Sequence, residues 1–467
     1  MNNLEKIFMS AITYQTSNLD YHNLIGLIEQ IDIDDLIHAV QKSKICSQFY
    51  EFLSHIRVYN DSYQKSSKID QCLNKLTSLG FGRIERKKKN QTLERALIEV
   101  LEATEQAAVA ALVVKGSSIP FLLPNYKVRD QADIDIVVQD LNSLWLLLRE
   151  LFGKGYVESL EENAWIKLFK GPQPYWGAHF TVKGEIEIDI HTHSMTFGQG
   201  QMLTTQLWQR KMSTDLDGHL LFYPTPEDAF LFLVAHGYQE GHFTVKDASD
   251  VYNLLLVHND EFDWDYIASQ ADKNSLHRGI IRILSLLKSY SDLQIPCEMV
   301  ICEENFPIIP FDDEDIFVQY EMEFDFARTN NDINYAIDMI NKKKQWLDIV
   351  HIITCENADA DKERLQERLE RRHILEGLEL GIQVLLFPLR RLSSDTGYFP
   401  SKKWWINEFK EIKLADTNTY VIPVGDTTEL ICTPSGFYTT TRTMFFYEED
   451  LDDLHTVAQS ILDKFPK

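Results

Sequence analysis

The feature that most constrains this chain is an alternation near its centre. Residues 133–138 read Asp-Ile-Asp-Ile-Val-Val, and residues 185–191 read Glu-Ile-Glu-Ile-Asp-Ile-His. Successive side chains of a strand point to opposite faces, so each segment puts its isoleucines on one side and its acids on the other. A helix would scatter the same residues around its axis. The centre must therefore build a sheet with one apolar and one acidic face. Ala178-His-Phe-Thr-Val182 precedes the second segment, separated by Lys183-Gly184. The pattern predicts a hairpin, with Gly184 supplying a positive φ at the turn. Ala111-Leu-Val-Val114 reads as a short buried strand and 141–152 as a helix. Strands mixed with helices argue for an α/β or α+β class here.

The flanks read as helical. In the first 80 residues Leu24, Ile25, Leu27 and Ile28 form one apolar face, and Leu36, Ile37 and Val40 another. A basic run over 83–89 opens a helix expected at about 91–109, with Leu93, Leu97, Val100 and Leu101 at helical spacing. Thr225-Pro-Glu-Asp228 signals a helix start: a Thr cap, Pro in the first turn and acids at the positive dipole end. Helices then run to about 290. A long charged helix is expected over 359–386, ended by Pro388. Beyond 395, Tyr420-Val-Ile, Glu429-Leu-Ile-Cys and Thr443-Met-Phe-Phe-Tyr suggest strands, with Trp404-Trp405 in their core. The expected division is a helical segment at 1–92, a core at 93–224, a helical domain at 225–390 with an acidic linker at 303–325, and a small α/β or β module at 391–467.

Charge narrows the partners. Lys and Arg number 46 against 71 Asp and Glu, a net of −25. That lacks the basic footprint that long nucleic acids and anionic membranes require. Residues 303–325 contribute −9 and 447–453 contribute −5, so 14 of the 25 lie outside the acidic strands. The start shows no signal-peptide pattern and no window suits a membrane helix, so a cytoplasmic location is expected. Cys46, Cys72, Cys297, Cys302, Cys355 and Cys432 are scattered, and free thiols are expected.

Asp133 and Asp135 share a strand face, where they repel unless a cation bridges them. Mg²⁺ is the natural bridge, since it takes carboxylate oxygens and substrate phosphates. Glu185, Glu187, Asp189 and His191 share the face of the second segment, and an acid there could complete a two-metal clamp. Lys115-Gly116-Ser117 ends the 111–114 strand and opens a helix, a corner whose N–H groups and dipole suit a phosphate. Lys115 and Arg129 can offset phosphate charge. Pro120 is expected in that helix's first turn, and Pro124 to shorten it. His191 and His193 could ligate a metal, but zinc is disfavoured because neither a Cys nor a third His is close in sequence.

In order and type these pieces resemble the DNA polymerase β-like nucleotidyltransferase superfamily, and more narrowly a bacterial, mostly uncharacterised nucleotidyltransferase family. The matching residues are Val114-Lys-Gly116, Tyr126, Arg129, Asp133-Ile-Asp-Ile-Val-Val138 and Asp189-Ile-His191, followed by His236 in Leu-Val-Ala-His and Asp250 before a Leu pair. The likeness spans about 30–290. It implies a mixed sheet with flanking helices, in the α+β class; the β-containing C-terminal module lies beyond the likeness and is expected from the residue patterns alone. It also implies transfer of a nucleoside monophosphate from an NTP to an acceptor, with pyrophosphate leaving. By carry-over Asp133, Asp135 and Asp189 hold Mg²⁺, with Mn²⁺ as the alternative, and Asp189 helps activate the acceptor. Lys115, Gly116, Ser117 and Arg129 hold the nucleotide, and His191, His236, Lys246 and Asp250 stand around the site. A small molecule or a peptide or protein hydroxyl is favoured as acceptor. The rival readings are a catalytically silent NTP-binding or regulatory protein, and a metal-dependent hydrolase or glycosyltransferase using Asp-x-Asp.

Overall fold

The computed structural model describes residues 3–14, 19–60, 67–124, 129–159, 164–170, 175–193, 198–239, 244–273, 276–296, 383–391, 412–413, 418–423 and 428–441. Helices α1 (Asn3–Thr13), α2 (Tyr21–Gln30), α3 (Ile33–Lys42), α4 (Cys46–Asn60) and α5 (Ser67–Ser78) lead into the long α6 (Arg83–Ala107). Then come β1 (Ala111–Val113), α7 (Lys115–Leu122), β2 (Asp133–Val138), α8 (Leu141–Gly153), β3 (Val157–Glu158), β4 (Ala164–Lys170), β5 (Tyr175–Lys183) and β6 (Glu187–His191). Next are α9 (Gly198–Arg210), β7 (Met212–Leu216), β8 (His219–Tyr223), α10 (Pro226–Gln239), α11 (Val245–His258), α12 (Trp264–Lys273) and α13 (His277–Tyr290). The described chain ends with β9 (Gln383–Arg391), β10 (Ile412–Lys413), β11 (Tyr420–Pro423), β12 (Thr428–Thr433) and β13 (Gly436–Thr441).

The fold is α+β, as the family resemblance implied. The strands run β10-β11-β12-β13-β9-β4-β5-β6-β2-β1-β8-β7, with β3 also on β5. The sheet is mixed: β2 runs parallel to β6, and β1 parallel to β8, among antiparallel neighbours. The register is fixed by burial. Ile134, Ile136, Ile188 and Ile190 are at most 2% exposed. Burying each contributes roughly 1.5–3 kcal/mol, and a one-residue slip would turn all four outward and the acids inward. Helices α6 and α8 pack together and on the sheet, as their apolar stripes require.

Local chemistry sets the helix ends. Asp32 and Asp140 accept from backbone N–H groups at the starts of α3 and α8. The Thr225 hydroxyl accepts from Asp228 N at 3.3 Å, so the expected cap holds. Thr244 and Asp247 cap α11 reciprocally. The N-terminal helices also tie into the segment before β2 and into α11. Ser47 N, at the start of α4, donates to the Asp130 carboxylate at 3.0 Å, and Tyr252 on α11 donates to Thr13 O.

Several local expectations change. The basic run 83–89 lies inside α6 rather than before it; Gly82 provides the extended residue and Arg and Lys are good helix formers. Pro120 sits in the second turn of α7, which has only eight residues and ends before Pro124. Gly184 is not among the positive-φ glycines; a Cβ there would meet the Tyr156 ring at 2.6 Å, so space is what it supplies. Residues 383–386 belong to strand β9, not to a helix, and Pro388 lies within it opposite Trp165. Strand β13 pairs only with Arg390 and Arg391, so the missing N–H of Pro388 breaks no ladder on that side. The boundary expected at 390 falls inside β9. Strands β9 to β13 continue the central sheet, and Trp145 of α8 donates to Thr419 Oγ1 at 2.8 Å and packs on Tyr438. The hairpin β7–β8 was not anticipated. The expected linker at 303–325, most of the 359–386 helix, Trp404-Trp405, the 443–447 strand, Tyr126, Cys297, Cys302 and Cys355 lie outside the described residues.

Candidate functional site

The parallel pairing of β2 with β6 sets Asp135 opposite Asp189 and Asp133 opposite Glu187. Strand β5 pairs with the other edge of β6, placing Thr181 opposite Asp189 and His179 opposite His191. Alternation then puts Asp133, Asp135, Glu187, Asp189, His191, Thr181 and His179 on a single sheet face. Thr181 donates its hydroxyl to Asp189 Oδ1 at 2.6 Å. His179 Nε2 lies 3.7 Å from the same oxygen. The His179 and His191 rings stack with centroids 4.5 Å apart.

Lys115 enters this face from the β1–α7 corner. Its Nζ donates to Asp135 Oδ1 at 2.6 Å. Its φ is +47°, left-handed backbone that costs a non-glycine residue about 1–2 kcal/mol. Such a residue persists only where its surroundings hold it, and such positions cluster at functional sites. The Ser117 hydroxyl is engaged with β2: it accepts from Asp135 N at 3.0 Å and from Gln131 Nε2 at 2.8 Å. Ser117 therefore ties the corner to the acidic strand.

Arg129 lies across Gly116. Its guanidinium occupies the space a Cβ on residue 116 would fill, so only glycine fits there. Its Nε donates to Asp250 at 2.9 Å, with both side chains at least nine-tenths buried. Lys246, one turn before Asp250 on α11, is within the electrostatic reach of Arg129, Asp250 and Asp133. Burial and the Arg129 charge push its pKa down. The corner is thus clamped between the sheet and α11 by one buried ion pair.

The electrostatics follow from burial and crowding. Burial pushes the Asp135 carboxyl up, Lys115 opposes it, and Asp133 and Asp189 reinforce it; the net direction is upward. Lys115 is held above its usual range by the three carboxylates, against its burial. Burial also pushes Asp189 up, but His179, Thr181 and Lys115 outweigh it, so Asp189 stays ionised. His191 falls well below the usual imidazole range through burial and the charges of His179, Lys115, His193 and His236. It is neutral, and its Nε2, 4.0 Å from Asp135 Oδ1, has no hydrogen-bond partner among the described residues.

The sequence-predicted residues therefore converge. Asp133, Asp135, Asp189, His191 and Lys115 meet on one face, with His193 and His236 near enough to bear on His191. Gly116, Arg129, Asp250 and Lys246 form the adjoining clamp. Sequence reasoning missed His179, Thr181 and Gln131. His179 and Thr181 were hidden by the turn: the two-residue turn expected at Lys183-Gly184 sets Thr181 opposite Ile186, whereas the observed pairing of Lys183 with Glu187 sets it opposite Asp189; Gln131 carried no signal. A cleft of about 920 Å³ lies beside the corner, lined by Ser117, Arg129, Gln131, Arg83, Arg86 and Lys87 among others. None of the three aspartates lines it.

A family model described as uncharacterised nucleotidyltransferase matches residues 29–292, over half the chain. The chain belongs to this family. The match includes every site residue named above and carries a nucleotidyltransferase domain. No curated protein matches the chain in sequence. Among solved structures it is similar to an antigenic nucleotidyltransferase-like protein from Paracoccidioides brasiliensis, at 13% identity and a TM-score of 0.25, covering 45% of this chain and 97% of that one. It is also similar to the Megavirus polyadenylate synthase, at 16% identity and a TM-score of 0.25, covering 42% of this chain and 38% of that one. Among the described residues no helix is long and apolar enough to cross a membrane.

Proposed function

We propose that this nucleotidyltransferase moves a nucleoside monophosphate from an NTP to an acceptor hydroxyl, using divalent metal held by Asp133, Asp135 and Asp189. One observation carries the reading: the β2–β6 register sets Asp135 beside Asp189, with Asp133 on the same face. The donor set fits a divalent cation. Three aspartates share the face, a lysine ammonium already sits on one of them, and a buried imidazole nitrogen has no hydrogen-bond partner among the described residues. Mg²⁺ suits the oxygen donors, and Mn²⁺ is the alternative. When bound, the ion supplies positive charge that offsets the phosphates and favours the acceptor's alkoxide.

The chain's own residues would do the rest. The acceptor oxygen bonds to the α-phosphorus, the bond to the bridging oxygen breaks, and pyrophosphate leaves with that electron pair. Asp189, held ionised, can take the hydroxyl proton. Gly116 and Ser117, at the start of α7, would lie against the leaving phosphates. Lys115, whose Nζ lies on Asp135 at the β1–α7 corner, would pair with the triphosphate. Arg129 and Lys246 add charge at the corner. The net charge of −25 favours a small molecule or a peptide or protein hydroxyl over a long nucleic acid.

The test is label transfer. Each α-labelled NTP is incubated with cell extract, Mg²⁺ and the protein, beside the Asp133→Asn/Asp135→Asn variant. The reading expects one labelled acceptor and pyrophosphate with the native chain, and loss of about a thousandfold or more in the variant, since metal charge supplies several kcal/mol. NTP binding without transfer would favour a silent regulatory protein. Release of inorganic phosphate, or use of a nucleotide sugar, would favour the hydrolase or glycosyltransferase reading.

A further inference from the structure

The acidic face carries more nitrogen than an oxygen-only metal site needs. His179 Nε2 or Nδ1, an Asp189 oxygen and a His191 ring nitrogen all lie within 4.8 Å of one another. The two histidines come from adjacent antiparallel strands, directly opposite in register. Their rings stack at 24° with centroids 4.5 Å apart. His179 Nε2 stands 3.7 Å from Asp189 Oδ1, and His191 Nε2 stands 4.0 Å from Asp135 Oδ1. Both separations exceed a hydrogen bond. Metal bonds of about 2.1 Å place neighbouring tetrahedral donors about 3.4 Å apart, close to these spacings. Among the described residues His191 Nε2 is buried without a hydrogen-bond partner, which is costly unless something else meets it. Thr181 fixes the ligand oxygen from behind, the role outer groups play at metal centres.

We propose that His179, Asp189 and His191 form a binding site for one divalent transition-metal ion, with Asp135 as the adjoining fourth donor. Two imidazoles with carboxylate are the donor set of zinc and related transition-metal centres, whereas Mg²⁺ takes oxygen. Nitrogen donors raise affinity along the order Mn²⁺, Co²⁺, Zn²⁺. The site lies beside the Asp133–Asp135 pair, so it shares Asp135 and Asp189 with the proposed nucleotide metals. The inference deepens that reading: the ion next to Asp189 is selected by imidazole, not by oxygen alone.

The test uses the full chain, stripped with a chelator and titrated with Co²⁺ alone, read by its visible absorption and by thermal melting. The expected result is one equivalent of Co²⁺, with the absorption of a nitrogen-containing site, displaced by Zn²⁺ and not by an equal concentration of Mg²⁺. His179→Gln and His191→Gln should each weaken Co²⁺ binding by roughly a hundredfold or more, no less than outer-group changes cost elsewhere. Circular dichroism verifies that each variant is folded. If one variant unfolds, the other decides. Co²⁺ binding that is absent, that Mg²⁺ displaces equally, or that survives both histidine replacements overturns the proposal. A Co²⁺ site present in a chain that turns over no NTP with any metal would instead overturn the transfer reading and leave this site standing.

Discussion

Replacing Gly116 with alanine tests the corner's architecture because two effects compete with opposite sign. Gly116 lies inside helix α7. Alanine at a free helical position is more favourable than glycine by about 0.5–1 kcal/mol. Here the new Cβ falls on the Arg129 guanidinium. A long side chain could ordinarily swing aside. Arg129 cannot do so cheaply, because its Nε is bound to Asp250, which is 1% exposed, and both side chains are buried. Displacing Arg129 leaves a buried carboxylate unpaired, at a cost of about 3–5 kcal/mol. The net expectation is a loss of about 2–4 kcal/mol, read from the urea midpoint followed by circular dichroism. In an Arg129→Met/Asp250→Leu background the clash and the charge are both gone, and the cost should fall below about 1 kcal/mol. A Gly116→Ala chain as stable as the native one, or more so, would refute the clamp.

Other perturbations have defined outcomes. Lys115→Met removes the cation from Asp135, so the metal-free melting temperature should fall and the upward shift on adding divalent metal should grow; an unchanged metal shift contradicts the ion pair's role as a stand-in. Glu51 is pushed up by burial, but its hydrogen bonds from Arg83 and Arg86 win and its net pKa is lowered. Its stabilising share is therefore present above its unfolded value, about 4.3, and lost as pH falls through its lower folded value. The melting-temperature gap between native chain and Glu51→Gln should narrow on acidification below about pH 4, and a gap constant with pH contradicts this. Burial pushes the Cys46 thiol up to about 12 and Cys72 to about 11. Mass-mapped alkylation at neutral pH should spare both until the chain is denatured. Thr419→Val removes the Trp145 hydrogen bond and should cost about 1 kcal/mol, by the urea midpoint; no change would mean the C-terminal strands do not depend on that contact.

The acidic face was legible because its signal is local and periodic. Asp-Ile-Asp and Glu-Ile-Asp-Ile-His each state their own strand, and burial of four isoleucines leaves the carboxylates one face to occupy. The pairing that joins them is not local. That β2 lies parallel to β6, with β5 on the far edge, depends on helix α8 and strands β3 to β5 between them, and no short pattern encodes that. His179 was overlooked because a histidine twelve residues before His191 gains meaning only through hairpin register. The ion pair of Arg129 with Asp250 spans 121 positions and was invisible as a contact, although both residues were singled out. Strand β9 was misread because Gln383–Arg391 adjoins a charged stretch of helical texture. Its pairing with β4 is a tertiary choice that overrides local propensity.

The central claim is that the β2 and β6 carboxylates form a divalent-metal site for a nucleotide. Its most direct measurement is equilibrium binding of each NTP to the full chain, with and without Mg²⁺ or Mn²⁺, beside the Asp133→Asn/Asp135→Asn variant verified as folded. The account predicts binding that requires the metal and disappears in the variant. Binding of equal strength without metal, or retained in the variant, would contradict it.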